Sequence, residues 1–140
     1  MFVVDTSAKE ERPESVWREY SEDIRVKIRP PDKDFLAELT RQATIEVDAG
    51  YDRGRKITRK EVVSEKYDRS FYRGVIEDWE GVVDQHGAKL EPSPENIDLV
   101  CKRFLAFASW VRDEAFHVAE SEAARKGELL KNSKPSPDGK

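Results

Sequence analysis

Cysteine, methionine and histidine are nearly absent from this chain: one, one and two in 140 residues. With Cys101 alone, no intramolecular disulfide can form, and an oxidising compartment has nothing to act on. No stretch approaches the ~20 apolar residues that a membrane span needs. The first residues, MFVVDTSAKEERPE, lack the cationic start and long apolar segment of a secretory signal. There is no phosphate-cradling glycine loop, no nucleophile elbow and no cluster of metal-ligating Cys and His. These absences lead to the expectation of a soluble cytoplasmic protein that is not an enzyme and carries no metal or cofactor.

What the chain does have is charge. Asp, Glu, Lys and Arg make up 39% of it and the hydrophobic residues 37%, with a net charge of -4. An acidic balance offers no basic footprint for nucleic acid, so none is expected as a partner. Six Phe, four Tyr and three Trp argue against disorder over the full length. A chain of this size forms one domain, residues 1–130, and buries roughly two thirds of its unfolded surface.

Taken in order, Met1–Val4 offers a short strand and Ala8–Glu14 a proline-broken loop. Ile24, Val26 and Ile28 alternate with Arg25, Lys27 and Arg29, the pattern of a strand with one apolar face. Paired with Val16–Tyr20 across Ser21-Glu22-Asp23, it forms an N-terminal hairpin over about 15–29. Pro30-Pro31 ends it, and Asp32 caps a helix over about 32–47 with Phe35, Leu36, Leu39 and Ala43 inward. Asp48–Lys60, with two glycines and five basic residues, has no period and is expected as a loop.

Phe71, Val75, Trp79 and Val82 step by four, four and three, which predicts a helix over about 66–82. Gly74 inside it is unfavourable by about 1 kcal/mol against alanine, and close packing of another element would be a reason to keep it. The turn Asp84-Gln85-His86-Gly87 follows, then an N-cap serine with proline at the first helical position in Ser93-Pro94-Glu95-Asn96. Ile97, Cys101, Phe104, Ala108, Val111, Ala115 and Val118 form a helical seam. A single helix of that span is long for this domain, so a break is expected near Leu105–Ser109, dividing helices at about 94–105 and 108–130. Residues 131–140 read as a disordered tail. The fold class is thus α+β and mainly α-helical: an N-terminal β-hairpin packed on a small bundle of four or so helices.

Few residues suggest chemistry. Glu114 and His117 have the Glu-x-x-His spacing of di-iron bundles, but those need two copies and two further glutamates. His86 lies in a turn with no equivalent glutamate. Asp78 and Glu80 flank Trp79, and on a helix they would diverge rather than converge on a substrate. Cys101, in an apolar run, reads as a structural thiol. Phe107, Trp110 and Phe116 lie off the main seam. They either pack under the hairpin or first helix, or form an exposed aromatic patch that receives a partner.

Three segments carry a resemblance. They are Trp17–Tyr20 with Asp23–Pro30, then Ile76-Glu77-Asp78-Trp79-Glu80-Gly81-Val82 with Asp84 and Gly87, then Pro92–Ile97. In order and spacing they resemble the tail assembly chaperones of long-tailed bacteriophages and prophages. Glu22-Asp23 stands where such proteins usually have a glycine. The resemblance implies a non-enzymatic binding protein whose partners are the tape-measure protein and tail-tube proteins. Self-association into a homo-oligomer would supply the repeated apolar grooves that a long helix needs. The alternative is a structural or adaptor component of the virion tail or head.

Overall fold

The computed structural model describes residues 14–133, with side chains through Ala124. The expected strand at Met1–Val4, most of the Ala8–Glu14 loop and residues 134–140 of the expected tail lie outside the described residues. Within them the order is β1 (Val16–Glu19), β2 (Arg25–Ile28), α1 (Lys33–Ala43), β3 (Thr44–Asp52), β4 (Arg55–Val62), α2 (Ser64–Val75), β5 (Ile76–Glu80), α3 (Pro94–Arg103) and α4 (Leu105–Ser133).

The expected fold class is corrected by the strands. This is an α+β protein with two sheets, one of order β1-β2-β5 and a separate β3-β4 ribbon. In the first, Val26 lies opposite Arg18 on one side and Trp79 on the other. Val26, Ile28, Ile76 and Trp79 all point into the core. The outer face is polar, with Arg25 bonded to Glu80 at 3.2 Å and its guanidinium 5.0 Å above the Trp17 ring.

The helix expected over 66–82 therefore ends at Val75, and the chain passes directly into strand at Ile76. Two β-branched residues at the junction weaken the helix there. The open edge of β2 supplies the backbone partners that a further helical turn would have supplied internally. The four-four-three stripe is read correctly as buried at Phe71, Val75 and Trp79, but it belongs to two elements.

α1 begins at the expected cap, with the Asp32 carboxylate accepting the Phe35 N–H at 2.7 Å. It stops at Ala43, because Thr44-Ile45-Glu46-Val47 alternates β-branched and polar residues and enters β3. The predicted loop over Asp48–Lys60 is instead most of a hairpin. Its turn, Arg53-Gly54, has φ 52° and 79°, and positive φ at both central residues matches the right-handed strand twist. Arg-Gly is a weaker written signal than Asn-Gly, so the turn hides among basic residues.

α2 is the central helix and packs against α1, α3 and α4. Gly74 faces the Phe35 ring of α1 so closely that a Cβ would collide with its edge, the reason a helix keeps glycine there. Asp84 organises the turn after β5, its carboxylate accepting from His86 N–H at 2.8 Å and Ala88 N–H at 3.0 Å. The Ser93 hydroxyl then accepts from Asn96 N–H at 3.2 Å and starts α3, with Pro94 in the first turn. The seam breaks at Phe104 (φ -113°, ψ 81°). Ile97, Cys101, Ala108, Val111, Ala115 and Val118 are buried, whereas Phe104, at the break itself, is 61% exposed. α4 runs about 43 Å at 1.5 Å per residue and includes Lys131–Ser133, placed in the expected tail.

Candidate partner groove

Of the three aromatics of the expected contact patch, Phe107 and Trp110 stack on each other with ring centres 6.2 Å apart, and Phe116 meets a different ring. Phe107 is a core residue at 4% exposure, edge-on to Tyr20 with ring centres 5.1 Å apart. Trp110 is half-buried, 5.1 Å from the same tyrosine. Phe116 stacks on Phe71 at 5.6 Å, against α2. Tyr20, just after β1, thus sits edge-on to the stacked Phe107 and Trp110, and Phe116, 39% exposed, lies against Phe71.

The polar candidates are also dispersed. Glu114 lies 3.7 Å from the Arg18 guanidinium, while His117 is exposed beside it in sequence. Among the described residues, no three His, Cys, Asp or Glu side chains come close enough together to hold a metal ion. Asp78 and Glu80, expected to diverge on a helix, sit on a strand, where residues two apart share a face. Glu80 is engaged by Arg25, and the Asp78 carboxylate accepts the Trp79 N–H at 2.8 Å.

A groove that no single stretch announces opens between α2, α3 and α4, with a volume of about 760 Å³. Tyr72, Cys101, Leu105 and Ala108 give it an apolar lining, and charged residues rim it. Across one rim Arg112 pairs with Asp68 at 3.2 Å and lies over the Tyr72 ring at 5.6 Å. Asp98 on the α3 side of the groove makes a two-pronged ion pair with Arg73, whose Nε lies 2.9 Å from its Oδ1, which ties α2 to α3. Burial raises the Tyr72 hydroxyl pKa against the opposing pull of Arg112. Leu105, 74% exposed, stands in water at the groove, beside Phe104 in sequence.

Burial also pushes the Cys101 thiol up to about 12, with nearby Asp98 adding to it. The thiol is therefore protonated at neutral pH and a poor nucleophile. Its folded-state pKa lies above its ordinary value of 9.0, so the folded chain holds this proton more tightly. The resulting stability is fully present below pH 9 and is lost as pH rises toward 12. Native protein should resist an aromatic disulfide reagent at pH 8 and react fully in denaturant. Cys101→Ala should flatten the alkaline loss of stability between those limits. Rapid modification of the native thiol would show Cys101 to be accessible.

Fold and groove together define a small α+β protein with a helix-lined, partly apolar cleft. A family model described as YdaY prophage protein matches residues 31–132, from the start of α1 through nearly all of α4. The chain belongs to this prophage protein family. Neither the curated proteins nor the solved structures contain a match to it. Among the described residues, no helix is long and apolar enough to cross a membrane.

Proposed function

We propose that this prophage protein is a tail assembly chaperone that receives a helical segment of the tape-measure protein in the α2–α3–α4 groove. It would act in the host cytoplasm, non-enzymatically and without a cofactor. The observation that carries the reading is the groove itself: an apolar lining between charged rims, with Leu105 left in water. A passing amphipathic helix would place apolar side chains on Tyr72 and Ala108 and meet Asp68, Arg112 and Lys102 with its polar flanks. Covering exposed leucine and aromatic surface supplies the driving force, about 25 cal/mol per Å² removed from water.

The test is co-expression with the tape-measure protein of the same prophage. The wild-type chain should keep that protein soluble and co-purify with it. Leu105→Asp should weaken capture at least tenfold while leaving the thermal midpoint within about 2 °C, since the side chain is mostly exposed. Capture that is indifferent to Leu105 and to a bulky Ala108→Trp would remove the groove from the mechanism. Finding this chain in finished particles would favour a structural virion component instead.

A further inference from the structure

The β3–β4 ribbon stands apart from the groove, and its charge is sorted by strand. β3 carries Glu46, Asp48 and Asp52 and no Lys or Arg, whereas β4 carries Arg55, Lys56, Arg59 and Lys60 against one acid, Glu61. Among the described residues both strands have an unpaired outer edge, because their sheet there contains only these two. Ile45 and Ile57 share one face with Val47 and are 37% and 38% exposed, and Tyr51 on the other face is 75% exposed. A two-stranded hairpin with so little covered is marginal in water and gains from further strands.

We propose that this ribbon is a self-association arm, in which the acidic β3 edge of one copy pairs with the basic β4 edge of the next. Charge decides the partner and the polarity. Like charges directly opposite across strands are destabilising, so β3 against β3 sets acid on acid and β4 against β4 sets base on base. Only the mixed pairing repeats the contacts already made inside the ribbon, where Glu46 lies opposite Lys60 and Lys56 reaches Asp48 at 3.9 Å. Lysines on an edge strand often keep monomers apart, but a single sign on each edge selects a partner instead of repelling every strand. The contact is heterologous and propagates into a ring or filament, not a closed dimer. It is independent of the groove and of the chaperone reading.

Sedimentation velocity of the full chain over a wide concentration range tests it. Species larger than dimers are expected, dissociating as salt is raised to 0.5 M. Replacing residues 45–61 with Asn-Gly should leave a folded monomer, because Val63 N–H already bonds the Ala43 carbonyl at 2.8 Å and holds the ends together. Glu46→Lys with Asp48→Lys, and separately Arg59→Glu with Lys60→Glu, should each weaken assembly at least tenfold. Mixing these two reversed proteins should restore it, and mixing either with the ribbon-trimmed form should not. A full chain that stays monomeric throughout, assembly that survives trimming, or charge-reversed variants that assemble as the wild-type chain does would each overturn the proposal.

Discussion

Trp79→Ala is expected to leave the domain largely unfolded, or nearly so, at room temperature. Trp79 has no exposed surface, lies opposite Val26 in the sheet, and donates its indole N–H to the Leu90 carbonyl at 2.6 Å. One side chain thus joins β5, the core and the loop leading to α3. Truncating a buried Trp removes about 3–5 kcal/mol, and losing the hydrogen bond to the half-buried Leu90 carbonyl adds about 1 kcal/mol. Domains of this kind have only about 5–15 kcal/mol in total. Trp79→Phe, which keeps most of the volume and loses the hydrogen bond, should fall between. Urea denaturation followed by far-UV circular dichroism measures both. A Trp79→Ala midpoint equivalent to less than about 1 kcal/mol of loss would show that the core does not depend on this residue.

The second large effect is expected at Gly81. Its φ is +87°, and a Cβ there would collide with the backbone carbonyl oxygen of Asp23 in the β1–β2 connection. Left-handed backbone disfavours alanine by about 1–2 kcal/mol, and the collision involves main chain that cannot rotate away as a side chain would. Gly81→Ala should therefore destabilise by about 3 kcal/mol or more, with the hairpin and β5 loosening together. Had residues 66–82 formed one helix, the same change would have stabilised by about 1 kcal/mol. The sign of the measured change separates the two geometries without a further structure.

That contrast shows where reading residues in order succeeds. Capping is local, so Asp32, Ser93-Pro94 and the Asp84–Gly87 turn could each be recognised from a few neighbours and are found with the expected hydrogen bonds. Burial along the seam was equally legible, since Ile97, Ala108, Val111, Ala115 and Val118 recur at helical spacing whatever they pack against. The identity of β5 was not. A four-four-three stripe suits a helix, and a strand is preferred there because β2 has an open edge that lies far away in sequence. The β3–β4 ribbon failed differently: its signal was local, but Arg53-Gly54 does not resemble the usual hairpin turn.

The groove lay furthest from the sequence. It depends on the angle at Phe104, which no glycine or proline marks, and on residues from three helices meeting around Tyr72. The expected patch of Phe107, Trp110 and Phe116 was drawn from one helix alone, in which Phe107 is buried, Trp110 half-buried beside Tyr20 and Phe116 39% exposed. By themselves, the residues of this protein determine its caps, the Asp84–Gly87 turn, most of its buried helical positions, the break between its last helices and its prophage kinship. Which strand fills the open edge of β2 and which apolar residues stay in water were decided only by tertiary structure. Those outcomes rest on contacts between segments dozens of residues apart, and their energies outweigh the propensity differences of a few tenths of a kcal/mol on which local reading relies.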